Sequence, residues 1–204
     1  MSFFSRFKAL ARQAPKEQVV GYSPDELKGV FTEPLASLPG GCPSAVSLEN
    51  MGVPAYYCSF LIDQADADRF WTLVESAFSY QAQKPFNDCL VKHYANTEKT
   101  HHLLGFTSDE AFNSITVRLV TNSVDFLDIL RRERFAVPPP WVAFEGYNPA
   151  WWGGAMQGAN GYYNDGYFLP FFTGLSAAEK HAYFARYAAT DEWISQLELM
   201  YGDE

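Results

Sequence analysis

A chain of 204 residues with 48% hydrophobic and 19% charged residues has the composition of a folded globular protein and is far from the disordered regime. Its formal charge is −9, and Arg6, Lys8, Arg12 and Lys16 all fall in the first sixteen residues, which hold no acid. The rest therefore carries 11 bases against 24 acids, or −13. A body that acidic repels phosphate backbones and excludes a nucleic-acid binder, and it steers a basic protein toward itself. Absence of a long apolar run excludes a transmembrane helix.

Residues 3–14 place Phe3, Phe7, Leu10 and Ala14 on one face of a short basic amphipathic helix, so residues 1–16 read as an N-terminal appendage. They lack the long apolar stretch and cleavage site of a signal peptide. Cys42, Cys58 and Cys89 are odd in number and irregularly spaced, as reduced core thiols are. Together these features give the expectation of a cytoplasmic protein. Proline and glycine punctuate 15–54 heavily and predict extended chain and turns. One helical turn is expected after Ser23, which can cap a helix that Pro24 begins. Pro39-Gly40-Gly41 reads as a turn.

Residues 56–62 (YYCSFLI) predict a buried strand. A helix follows, capped by Asp63, with Asp66 in its first turn and an apolar stripe of Phe70, Trp71, Leu73, Val74, Ala77 and Phe78; it stops before Pro85. Strands are predicted over 89–94 and 101–106, joined as a hairpin by a polar turn at 95–100. A helical turn is expected at 108–112 and another strand at 115–120. Asn122 or Ser123 then caps a helix through Arg134, with Val124, Leu127, Ile129 and Leu130 inward, ended by Pro138-Pro139-Pro140.

Residues 141–172 hold eleven aromatics and six glycines, with Glu145 and Asp165 the only charges. Rings on a backbone so broken by glycine predict a folded loop region or two short strands, with Asn164-Asp165-Gly166 as a hairpin turn. A capping box at Ser176 and Glu179 then opens a helix carrying Tyr183, Phe184 and Tyr187. Thr190 or Asp191 opens another, with Trp193, Ile194, Leu197 and Met200 inward, ending at Gly202. The fold class is α+β: a single domain over residues 1–204, with a small, mostly antiparallel sheet of four to six strands, three or four helices, a long aromatic loop region at 141–172 and a C-terminal helical pair at 176–202.

No nucleophile elbow, SxxK or zinc motif is present, so no catalytic residue, metal or cofactor is expected. His93, His101 and His102 cluster in sequence, yet strand histidines of this spacing are ordinarily hydrogen-bonded in a sheet. Two other patterns carry more weight. Glu145 and Asp165 among rings suit acid–base work or sugar chemistry, with Trp151 and Trp152 as platforms. Surplus tyrosine and tryptophan on an acidic body suit a protein–protein contact. The expected contact residues are Glu145, Tyr147, Trp151, Trp152, Tyr162, Tyr163, Asp165 and Tyr167. In character, and over no defined stretch, the chain resembles the small acidic immunity proteins with which bacteria neutralise toxins. That resemblance implies a cytosolic inhibitor that occludes the active site of a basic partner. The alternatives are a small hydrolase or sugar-binding protein built on Glu145 and Asp165, and a module of a larger assembly that docks through the N-terminal helix.

Overall fold

A computed structural model describes residues 18–38, 40–41 and 43–202. The expected N-terminal helix, Cys42 and the first residue of the Pro39-Gly40-Gly41 turn lie outside the described residues.

Six strands form one antiparallel sheet: β1 (Ala45–Ser47), β2 (Tyr56–Ile62), β3 (Ser79–Phe86), β4 (Cys89–Ala95), β5 (His102–Ser108) and β6 (Ile115–Thr121), in the spatial order β1-β2-β6-β5-β4-β3. Alternation along each strand sends Cys58, Phe60 and Ile62 of β2, Tyr94 of β4, Leu103 of β5 and Val117 and Leu119 of β6 to one face. Two helices cover that face: α2 (Ala67–Ala77) through Phe70 and Val74, and α3 (Val124–Glu133) through Phe126, Leu127 and Leu130. Asp63 accepts from the Ala65 amide and caps a 3-10 turn that leads into α2, while Ser123 caps α3 by accepting from Phe126. Val124 and Ile129, expected inward, are only half-buried.

The opposite face is shared. α1 (Pro24–Val30) seats Leu27, together with Phe31, on Val91, Leu104, Phe106 and Val120. Ser23 and Glu26 close a capping box around its first turn, so the helix runs two turns where one was expected. The far end of the face, at Ser59 and Leu61, meets the C-terminal helices.

The expected hairpin forms as β4 and β5, with Tyr94 opposite Leu103. β3 has no counterpart in the sequence reading. Its residues, SYQAQKPF, are almost all exposed because it is an edge strand, and Pro85 is tolerated at an edge. Asn87 and Asp88, both with positive φ, turn it tightly into β4. The helical turn expected at 108–112 is absent; the chain bends there without a helix.

Helices also exceed the expected three or four. Among the described residues α2, α3, α7 (Ala177–Arg186) and α8 (Asp191–Tyr201) are the four of ten or more residues, and shorter ones stand beside them: α1, α4 (Pro140–Ala143), α5 (Gly158–Tyr163) and α6 (Leu169–Phe172). The largest correction lies at 158–172, which is helical throughout, a π-helical stretch over Asn164–Phe168 joining α5 to α6. Asn164-Asp165-Gly166 is thus mid-helix and makes no hairpin. Tertiary burial overrides the weak helix propensity of glycine and asparagine here, because the helix puts Tyr163, Tyr167, Phe168, Phe171 and Phe172 on one inward stripe. No helix among the described residues is long and apolar enough to cross a membrane.

Candidate partner-binding face

The C-terminal layer is an aromatic core of its own. Phe168 stacks on Tyr163 and Phe172 with ring centroids 5.9 and 5.1 Å apart. Trp152 touches Phe144, Tyr147, Tyr163, Phe168 and Trp193 at 5.8–6.2 Å. So many rings with polar tips bury together because the tips find acceptors. Tyr163 donates to the Pro138 carbonyl, Tyr183 to Val137 at 2.6 Å, Tyr187 to Asp63 at 2.7 Å and Tyr201 to Asn164 at 2.9 Å. Burial raises the Tyr163 and Tyr183 hydroxyls well above the ordinary tyrosine pKa, so they remain protonated donors. α3 ends at Glu133, where Arg134 takes a left-handed conformation, and not at Pro138-Pro139-Pro140 as expected; the extended chain that follows instead anchors two tyrosines through the Val137 and Pro138 carbonyls.

This burial divides the eight expected contact residues. Trp152 is 1% exposed, Tyr163 is fully buried and Tyr167 is buried with its hydroxyl between Ser59 and Tyr162. These three are core residues and offer no ring to a partner. Tyr147 is half-buried under Trp151. Trp151 itself is 68% exposed and Tyr162 60%. Glu145 and Asp165 are exposed, and the contacts that hold them differ: Asp165 accepts from Asn164 at 2.9 Å, while Glu145 makes no ion pair among the described residues. Neither carboxylate is enclosed among rings, as the acid–base expectation required.

Local geometry explains why adjacent tryptophans part company. Asn148 accepts from the Ala150 amide and caps a 3-10 turn over Pro149–Trp151, which points Trp151 outward and drops Trp152 into the core. Gly153 follows with φ +92°, a conformation that favours glycine, and packs the loop against the Met200 side chain of α8. Gln196 of α8 locks it by donating to the Trp152 carbonyl at 2.6 Å.

The result is a surface cleft of about 750 Å³, with Trp141 and residues 146–150 on one side and Glu192, Trp193, Ser195, Gln196 and Leu199 of α8 on the other. Leu199 is 78% exposed, and Met200, expected inward, is 38% exposed. Helical spacing from Trp193 and Leu197 leaves Leu199, two residues past Leu197, off the inward stripe, which is the signal in the sequence for its exposure. Across residues 141–172 and 191–201 the chain has five acids (Glu145, Asp165, Asp191, Glu192, Glu198) and no lysine or arginine. Every ion pair among the described residues lies elsewhere. Over these two segments the exposed apolar residues Trp151 and Leu199 are thus accompanied by acids alone.

The histidines do not assemble a metal site. His93 Nε2 and His102 Nδ1 lie 3.1 Å apart across β4 and β5. His102 Nε2 is 3.0 Å from the Lys99 carbonyl, which can only accept, so Nε2 carries the proton and Nδ1 accepts from His93. His101 turns instead toward Asn96 and Thr100. Among the described residues no group of three or more His, Cys, Asp or Glu side chains is placed to hold a metal ion. Cys58 is a buried free thiol and Cys89 a half-buried one. No protein-family model, no curated protein and no solved structure matches this chain.

Proposed function

We propose that the protein is a non-enzymatic inhibitor of a basic protein partner, an immunity-type protein that neutralises a bacterial toxin by covering its active site. The observation that carries this reading is the pairing of exposed Trp151 and Leu199 with five acids and no base over the same segments. A large aromatic ring in an apolar patch is the usual anchor of an interface, and unneutralised carboxylates around it speed encounter with a positively charged surface. The earlier contact set contracts accordingly. Trp151, with Leu199, is the anchor, Glu192 lines the cleft, Glu145 is exposed next to the cleft residue Gly146 in the chain, and Tyr162 and Asp165 belong to the outer side of the 158–172 helix.

Affinity capture from the native cell with the full chain as bait identifies the partner, and two variants test the face. Trp151→Ala should weaken binding by about 2 kcal/mol, or some thirtyfold in Kd. Glu192→Lys with Glu198→Lys should slow association and flatten its dependence on salt. A captured partner that binds both variants as tightly as the parent chain overturns the placement, and a partner that is itself acidic overturns the reading.

A further inference from the structure

β1 pairs with β2 only along Tyr56–Cys58, so past Cys58 the outer edge of β2 has no strand beside it among the described residues. A cavity of about 490 Å³ opens there, between that edge, the last turn of α3 and the chain that leads into α7. Its size is that of sites for small organic ligands, about 300–1,000 Å³. Phe60, Leu61, Leu130, Phe171 and Leu175 make it strongly apolar, and two cations stand in its wall, Arg131 and Arg134.

The two arginines are not equivalent. Arg134 is half-exposed and held by Glu179. Arg131 is only 15% exposed; among the described residues its one ion partner is Asp128, reached by Nη1 at a long 3.4 Å, and its buried Nε has no acceptor. A buried guanidinium donor without an acceptor is unfavourable, so this edge of the side chain calls for an anion. The Nε–H and Nη2–H of a guanidinium point the same way and match the two oxygens of a carboxylate. Gly41 packs against that edge, where a β-carbon would come within 3.2 Å of Nε, and Nε has no open surface, so an anion in the cavity meets the part of the guanidinium that lines it.

We propose that this cavity binds a small aliphatic carboxylate, a medium-chain fatty acid by class, with its tail against Phe60, Leu130 and Phe171 and its head on the guanidinium of Arg131. In a chain of net charge −9, a buried cation inside an apolar cavity selects for an anionic head. The site shares no residue with the cleft beside α8 and does not depend on the inhibitor reading.

Titration calorimetry of the full chain with hexanoate, octanoate, decanoate, decanol and decylamine tests it. The acids should bind saturably at one site, each added methylene tightening Kd about fourfold until the cavity is filled. Decanol should bind at least about tenfold more weakly than decanoate, and decylamine more weakly still. Arg131→Gln should erase the preference for acid over alcohol, Arg131→Lys should keep part of it, and Arg134→Gln should leave it intact. The comparison of acid, alcohol and amine on the parent chain stands whether or not a variant folds. No saturable binding of decanoate, equal affinity for decanol, or an unchanged preference in folded Arg131→Gln overturns the proposal.

Discussion

The adjacent tryptophans offer the sharpest test of the tertiary structure, because they share a residue type and a sequence neighbourhood and differ only in where the fold puts them. Trp152 is 1% exposed and packed by five rings, while Trp151 is 68% exposed. A buried aromatic removes about 150–250 Å² from water, worth about 4–6 kcal/mol at 25 cal/mol per Å². Partial collapse of the cavity left by truncation brings the expected loss for Trp152→Ala to about 3–5 kcal/mol. At about 2–4 °C per kcal/mol for a chain of this size, Tm should fall by roughly 6–20 °C. Trp151→Ala should stay within about 0.5 kcal/mol of the parent. Trp152→Phe should lose much less than Trp152→Ala: it keeps most of the packing and deletes an indole N–H that faces the Tyr201 hydroxyl without a well-directed hydrogen bond. Urea unfolding followed by far-UV circular dichroism gives the difference, provided the m-value is unchanged. Equal losses for the two alanine variants, or a loss under about 1 kcal/mol at Trp152, would refute the aromatic core as described.

Three further outcomes follow from single sites. The capping-box hydrogen bonds from Ser23, and then Lys84, hold Glu26 down at about 2, below its ordinary 4.5, so its contribution is present above pH 4.5 and lost as pH falls toward 2. Glu26→Gln should cost a few tenths to about 1 kcal/mol at pH 7, most of the effect being screened at this exposed position, and nothing near pH 2 by the same denaturation assay. Burial lowers the pKa of both His93 and His102; the His102 charge adds to the effect at His93, while at His102 the hydrogen bond to the Lys99 carbonyl partly offsets it and the His101 and Lys99 charges add to it. Folding therefore favours the neutral rings. Stability should decline as pH drops below 6.5, and a His93→Gln, His102→Gln double variant should flatten that part of a Tm-against-pH profile. Gly161→Ala, which helix propensity alone would make stabilising by about 1 kcal/mol, should destabilise, because its β-carbon would lie 2.9 Å from the Met156 carbonyl oxygen. A higher Tm for that variant would refute the close approach.

Much of this architecture is written locally. Ser23, Ser123, Ser176 and Thr190 each cap the helix that follows, because a side-chain oxygen satisfying an amide two or three residues on needs nothing from the rest of the chain. Likewise, the apolar runs at 56–62 and 115–121 declare themselves as strands because their neighbours cover both faces. β3 stays hidden for the opposite reason, since an exposed edge strand has no face that must be apolar.

The candidate face was legible only in part. Charge asymmetry and the surplus of rings can be counted in the chain, and they single out residues 141–172. Composition cannot say that Trp151 is out and Trp152 in, that glycine-rich 158–172 is a helix, or that Leu199 of a distant helix borders the same cleft. Those outcomes depend on which partners each ring meets across the fold. Burial is a sum over contacts between segments far apart in the chain, whereas caps and strand patterns are settled within a few residues of one another.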